Sequence, residues 1–120
     1  MAKTLTDYLG SNASLTGTVV TIDLADLYAS LFPGAASPIT AFNDDDEVVA
    51  TLVAGLHKRT EPAEDAEGNE IVDKDTSLVA AESFSPKTFE VRQEVSQVRH
   101  EFIFYVYTED NTAFDPQDAV

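Results

Sequence analysis

The chain has 120 residues, 43% of them hydrophobic and 24% charged, which excludes full disorder and fits a single domain over residues 1–120 with its own core. Because 22 acidic residues outnumber 7 basic ones, the net charge of −15 repels phosphate backbones, and we expect no nucleic-acid partner. The lack of cysteine excludes disulfides and thiolate chemistry, and since no apolar stretch approaches the roughly 20 residues of a membrane span, we expect a soluble intracellular protein without a membrane partner.

The N-terminal region is predicted to be a flexible arm of about residues 1–16. Leu5, Tyr8 and Leu9 have the spacing of one helical turn, and Gly10 would end that turn. The sequence TGTVVTIDL that follows alternates β-branched and polar residues with a period of two. This alternation predicts a half-buried strand.

A short helix is predicted in the sequence DLADLYASLFPG. Its apolar side chains recur at helical spacing between Leu24 and Leu31. Asp23 is a candidate N-cap, and the pair Pro33-Gly34 marks the end of the helix.

The strongest helix signal lies in the sequence NDDDEVVATLVAGLHKR. Asp44 and Glu47 have the spacing of a capping box, and the acidic start and basic end suit the helix dipole. Gly55 lowers helix propensity, which indicates a close backbone contact at that turn. We expect an apolar stripe of this helix to cover the sheet, and its members are Val49, Leu52, Val53 and Leu56.

Residues 60–77 are predicted to form an acidic, mobile loop, because they combine Pro62, Gly68 and many acids with little to bury. A small turn is expected at Gly68-Asn69. The sequence SLVAAESF predicts a strand that ends at Ser85-Pro86, since proline cannot donate to a strand ladder.

The C-terminal third predicts a long β-hairpin formed by the sequences KTFEVR and QVRHEFIFYVY. With QEVS (Gln93 to Ser96) as a four-residue loop, one register places Val91 opposite Val98 and Glu90 opposite Arg99. One face of this hairpin is then mostly apolar along its length, and it carries Phe89, Val91, Val98, His100, Phe102, Phe104 and Val106.

The same residues allow an alternative, in which Val91, Val95, Val98 and Phe102 form the stripe of a helix. The threonine, valine and aromatic content of the region favours strands. We therefore predict an α+β fold, a small antiparallel sheet with a long C-terminal β-hairpin and one main covering helix. Residues 108–120 are expected to form a polar tail with Phe114 as a candidate anchor.

No catalytic, cofactor-binding or metal-binding residue is predicted. The only histidines, His57 and His100, form no metal-ligand motif, and we expect a structural role for each. The sequence also lacks nucleophile elbows, phosphate-binding loops and dinucleotide-binding motifs. These features favour a non-enzymatic protein without a cofactor, and an enzyme is the least favoured class.

Two oxygen-rich clusters raise the alternative of a calcium site. They are Asp44, Asp45 and Asp46, and Asp110, Asn111, Asp115 and Asp118. Neither cluster has the spacing of an EF-hand loop, with its central glycine and terminal glutamate. We interpret the first as a helix cap and the second as a solvated tail.

The sequence contains MAKTLTDYLG at one end and SFSPKTFEVRQEVSQVRHEFIFYVYTEDNTAFDPQDAV at the other. These two stretches resemble small virion structural proteins of tailed phages, particularly phages of cyanobacteria. The resemblance implies a non-enzymatic role as a capsid cement or decoration subunit, or as a head–tail or tail accessory, located in the virion after synthesis in the host cytoplasm. The alternative is a stand-alone bacterial domain that binds a small molecule or a protein.

The hairpin also predicts an interface. A strand from Val98 to Tyr107 would span roughly 33 Å, whereas the predicted helix is roughly 22 Å long, so part of the apolar face is left for another chain. The residues expected there are Val91, Val98, His100 and Phe102. The expected partners are the major capsid protein or other virion proteins, together with further copies of the chain in a homo-oligomer.

Overall fold

A computed structural model of the protein describes residues 3–35, 37–71, 76–81, 88–108 and 113–119. The helices are α1 (Leu5–Leu9), α2 (Leu24–Leu31) and α3 (Asp45–Arg59), and a 3₁₀ turn spans Pro116–Asp118. The strands are β1 (Ser14–Thr16), β2 (Val19–Thr21), β3 (Leu78–Ala80), β4 (Thr88–Arg92), β5 (Val95–Arg99) and β6 (Phe104–Val106).

The strands form antiparallel pairs, β1 with β2, β3 with β6, and β4 with β5. The predicted α+β class is therefore confirmed, with a C-terminal β-hairpin made by β4 and β5. Helix α3 is the longest described helix, and it packs most extensively on α2.

The predicted helix starts are confirmed, because the side chains that cap them are local in sequence. The carboxylate of Asp23 accepts a hydrogen bond from the Ala25 amide at 3.0 Å and so caps α2. At α3, Asp44 accepts from the Glu47 amide at 2.9 Å, and Glu47 accepts from the Asp44 amide at 3.1 Å. This is the reciprocal capping box that the sequence predicted.

The close contact predicted at Gly55 is with α2. A Cβ atom on Gly55 would lie 2.6 Å from the Leu27 Cβ, and Leu27 is fully buried. The buried residues of α3 are Thr51, Gly55 and His57, and they lie on two sides of the helix. The predicted stripe is only partly right, since its valines are exposed while its leucines are half-buried. Helix α3 turns Gly55 toward α2, where the glycine lets the two backbones approach, and it turns His57 toward Phe102 and Phe104.

Residues 3–16 contain α1 and β1 and are bound to α3 through Arg59. The Arg59 guanidinium donates to the carbonyls of Thr6 and Asp7, each at 3.1 Å, and to the Ser30 hydroxyl at 2.8 Å. The Lys3 ammonium donates to the Arg59 carbonyl at 2.8 Å. Arg59 thereby satisfies carbonyls at the end of α1, which is the usual role of a basic side chain at a helix C-terminus. The flexibility expected of the arm stays a prediction.

The β4–β5 hairpin differs from the prediction in its turn and register. Its turn is the pair Gln93-Glu94, both with positive φ (49° and 67°), which is a two-residue loop in place of the expected QEVS loop. Phe89 pairs with Val98 as a result, so the predicted register is wrong by two residues. A shift of two residues preserves the faces. Arg99 still forms an ion pair with Glu90, as a diagonal neighbour.

The single strand expected from Val98 to Tyr107 is two strands. Strand β5 ends at Arg99, and β6 begins at Phe104 and pairs with β3 through Val79 and Tyr105. The break lies at residues 100–103, where the chain leaves one sheet and joins another. The prediction of one continuous strand was wrong because β6 pairs with β3, which lies far away in sequence, and the local pattern carries no signal of that pairing.

The acidic loop contains the predicted small turn. The Asp65 carboxylate accepts hydrogen bonds from the amides of Glu67 and Asn69, and Gly68 has φ +83°. The strand after this loop is confirmed as β3, whereas the expected stop at Ser85-Pro86 lies outside the described residues.

The C-terminal tail ends in the 3₁₀ turn, which Asp115 caps through the amide of Gln117 at 3.0 Å. Phe114 is exposed, so the expectation that it anchors the tail is wrong. The cap assigned to Asp44 is confirmed. In the second oxygen-rich cluster, Asp110, Asn111 and the side chain of Asp118 lie outside the described part of the chain.

Candidate functional site

An apolar groove lies between the outer face of α3 and the segment that joins β5 to β6. Its volume is about 490 Å³, and it is lined by Asp46, Val49, Ala50, Val53, Ala54, His100 and Phe102. The exposed valines of α3, Val49 and Val53, form part of one wall of this groove. Two of the predicted interface residues, His100 and Phe102, form the opposite wall.

The other two predicted interface residues lie on the hairpin. Cross-strand partners share a face of a sheet, so Phe89 and Val98 project to the same side, as do Val91 and Ser96. We call these four residues the hairpin face. Phe89 is 76% exposed and Val91 73% exposed. The structure thus divides the predicted interface residues between the groove and the hairpin face.

His57 links α3 to the segment that carries Phe102. Its ring is 1% exposed and makes edge-on contacts with the rings of Phe102 and Phe104, at centroid distances of 5.4 and 5.2 Å. The predicted structural role of His57 fits this position, because the ring fills the space between helix and strand. The contact with the His57 ring thereby holds Phe102 in the groove wall.

The environment of His57 disfavours a charged ring. Neither ring nitrogen has a hydrogen-bond partner among the described residues. Burial lowers the pKa of His57 below its ordinary value, and the Glu61 carboxylate and the Ile103 carbonyl oppose this effect only in part. One carboxylate oxygen of Glu61 is itself buried without a partner in the described chain, while the other lies 3.3 Å from the Lys58 ammonium.

Sequence reasoning missed the groove and the role of Arg59. The groove depends on which face of α3 turns toward α2, and Gly55 was the only local signal for that choice. The clamp made by Arg59 joins residues more than fifty positions apart. Its one sequence signal was the basic end of the helix, which is equally typical of a solvent-exposed C-terminus.

Two further kinds of site are lacking in residues 3–35, 37–71, 76–81, 88–108 and 113–119. No group of three His, Asp or Glu side chains in those ranges is placed to hold a metal ion. No helix there is both long and apolar enough to cross a membrane.

The fold and the surface together define a small acidic α+β protein with an apolar groove and an exposed hairpin face. Comparison with known proteins found no matching family model, no matching curated protein and no matching solved structure.

Proposed function

We propose that the protein is a non-enzymatic virion structural protein, a cement or decoration subunit that binds the major-capsid shell of a tailed phage. The observation that carries this proposal is the imbalance between buried and exposed apolar side chains. In the described chain the buried hydrophobic residues are Ala13, Leu27 and Ala80, whereas sixteen large hydrophobic residues are exposed. A partner that covers those on the hairpin face and along the groove would supply burial that the described part of the chain lacks.

The size of the surface supports the same proposal. The accessible surface of the chain is 8934 Å², whereas a folded monomer of this mass exposes roughly 6,300 Å². The difference is roughly 2,600 Å² on this chain alone, which with an equal area on a partner corresponds to the upper end of protein–protein interfaces. A subunit that becomes fully packed on a particle accounts for an excess of this size.

The distribution of exposed apolar residues favours a macromolecular partner over a small ligand. A small molecule in the groove would leave Phe89 and Val91 on the hairpin face exposed. A broad, largely neutral or basic surface can cover both regions and complement the net charge of −15. A capsid shell offers a surface of this extent.

A stand-alone binding domain is the second candidate function, because the groove volume falls within the range of small-molecule sites. A head–tail or tail accessory would use the same exposed surfaces as a cement subunit. These alternatives differ in where the protein is found and in what it binds.

The test is mass spectrometry of purified virions from the phage whose genome encodes the chain, followed by a particle-retention assay. The chain should be present at a copy number close to that of the capsid protein. Val91→Asp should lower retention on particles at least tenfold, because it places a charge against the shell. Val19→Asp is the matched control, since Val19 is 64% exposed on the β1–β2 pair and should leave retention unchanged.

The proposal fails if the chain is missing from purified virions, or if both valine variants are retained like the unaltered protein. A copy number of a few per particle would instead assign it to the head–tail junction or the tail.

A further inference from the structure

We propose that two copies of the chain associate through β5, edge to edge about a twofold axis, so that the two β4–β5 hairpins form one four-stranded antiparallel sheet. The occupant of this edge is a second copy of the same chain. The inference goes beyond the proposed function, because it concerns how the copies pair with each other and does not require a particle.

The first observation is that the outer edge of β5 is open. All five residues of β5 are exposed, and within the described ranges β4 is its only strand partner. In a hairpin closed by a two-residue turn, the pair next to the turn, Arg92 and Val95, shares the inner hydrogen bonds. Ser96 and Val98 therefore point their amide and carbonyl groups outward.

Strand β5 carries little that would protect this edge from pairing, since Arg99 at its end is its one charged residue. Edge strands are normally blocked by proline, by lysine, by a bulge or by a covering element. The sequence VSQVR contains neither proline nor lysine, and its five residues pair with β4 in an unbroken register. An open, regular edge of this kind is a template for another strand.

The second observation is the charge of the hairpin. Two copies of a chain with net charge −15 repel each other wherever their acidic surfaces meet. Residues 88–99 carry two acids, Glu90 and Glu94, and two bases, Arg92 and Arg99, so their net charge is zero. Charges more than about 8–10 Å away are largely screened at physiological salt. The hairpin is therefore a place where two copies can meet at little electrostatic cost.

The register follows from the outward groups of β5. A twofold axis at Gln97 sets Ser96 of one copy opposite Val98 of the other, and it sets Gln97 opposite its own counterpart. Arg99 then lies opposite Val95 and beside the turn that holds Glu94 of the second copy. Among the paired positions 95–99 no like charges lie face to face, and Arg99, which pairs with Glu90 and Glu101 in its own chain, also comes near Glu94 of the second copy.

The outer edge of β4 lacks this complementarity. The same construction on β4 places the axis at Glu90, so two glutamates would lie directly opposite each other, which is destabilising. This difference selects β5. Pairing through β5 also joins the two hairpin faces into one continuous apolar surface.

The decisive experiment measures mass by analytical ultracentrifugation over roughly 1 µM to 1 mM, since an interface of two short strands is small. The unaltered protein should approach twice the 13.0 kDa chain mass. Gln97→Lys and Gln97→Glu should each remain at the single-chain mass, because like charges meet at the axis. An equimolar mixture of the two variants should regain the dimer mass.

The mixture separates pairing between copies from effects within one hairpin. Gln97 already lies opposite Glu90 in its own hairpin, so Gln97→Lys gains an ion pair there and Gln97→Glu does not. Rescue by mixing requires that the two positions meet across the axis. A matched pair of proline variants is the control. Ser96→Pro removes an outward amide of β5 and should abolish the dimer, whereas Val91→Pro removes one of β4 and should not.

The proposal is overturned if the unaltered protein stays at the single-chain mass at 1 mM, or if its mass grows beyond two copies. It is also overturned if mixing the Gln97 variants yields no dimer, or if both proline variants dimerise equally. Particle retention is measured separately, so a monomer that binds particles contradicts only this inference. A dimer that does not bind particles contradicts only the proposed function.

Discussion

Gly55 and His57 lie two positions apart on α3, and each determines one contact of that helix. Gly55 sets how closely α2 approaches, because a Cβ atom there would lie 2.6 Å from the Leu27 Cβ. His57 fills the space in front of Phe102 and Phe104 with a ring whose nitrogens have no partner in the described chain. Gly55 lowers the helix propensity and His57 buries unpaired ring nitrogens, and in return each residue allows a close tertiary contact.

Gly55→Ala should destabilise the protein by about 1–3 kcal/mol, since the new methyl group overlaps Leu27. Helix propensity alone would predict a gain of about 1 kcal/mol. Urea denaturation measures the net effect. Ala50→Gly, the reverse change at an exposed position of α3, is the control and should cost about 1 kcal/mol. A stabilised Gly55→Ala protein would show that α2 and α3 are not in close contact.

Stability should fall as the pH drops below about 6.5, the ordinary pKa of histidine. Burial lowers the pKa of folded His57, so the unfolded chain binds the proton first and gains from it. Lys58 and Glu61 are the charged groups that influence this proton. This loss of stability is absent well above pH 6.5, and it grows as the pH falls from there to the folded-state pKa of His57.

The measurement is the denaturation midpoint between about pH 5.5 and 7.5, where carboxylates stay ionised. His57→Phe keeps the aromatic contacts and should flatten this pH dependence. If the His57→Phe protein kept the full pH dependence, the buried ring would not be its source.

At the scale of elements, the features set by residues close together in sequence were predicted correctly, whereas those set by tertiary contacts were not. The caps at Asp23 and Asp44 were correct because donor and acceptor lie within three residues. Within β4 and β5 the predicted faces were correct, because the period of two survives a register shift of two, whereas the part of the predicted face beyond Arg99 belongs to another strand pair. The turn at Gln93-Glu94 was missed, since neither residue favours positive φ.

The groove could not be predicted from periodicity. The apolar stripe of α3 does not show which side of the helix meets α2, because that side is set by the contact between Gly55 and Leu27. The break between β5 and β6 depends likewise on β3, which is paired through residues more than twenty positions away. The orientation of α3 and the break between β5 and β6 are both set by tertiary packing, which overrides local helix and strand preferences.

The hairpin turn should respond to residues that tolerate positive φ. Replacing Gln93-Glu94 with Asn-Gly should relieve backbone strain of about 1 kcal/mol or more at the turn. Amide hydrogen exchange of β4 and β5 should slow by roughly fivefold or more, which corresponds to that free energy. Unchanged exchange would mean that the two-residue turn does not limit the opening of the hairpin.

The acidic loop should be the first site of cleavage by a glutamate-specific protease. Residues 63–71 are exposed and include Glu64, Glu67 and Glu70, and Ile71 is the one large apolar residue among them. Glu90 on β4 provides an internal comparison, because its backbone is paired with β5. A first cut at Glu90 would contradict the assignment of the loop as the least stable element.

At the scale of the whole molecule, the chain is larger than its mass requires. Its radius of gyration is 16.4 Å, whereas a compact domain of this length measures roughly 13.6 Å. In the described ranges sixteen large apolar side chains are exposed, and several of them lie on the hairpin, along the groove and on the β1–β2 pair. These dimensions fit a subunit that completes its packing on a partner.

The most direct test of this account is hydrogen–deuterium exchange of the chain, free and bound to purified particles. The account predicts that bound chains gain protection mainly in residues 88–106 and in the groove-facing turns of α3, while residues 63–71 keep their rapid exchange. Identical exchange in the two states, or protection confined to residues 63–71, would contradict the claim that the hairpin face and the groove are covered by the particle.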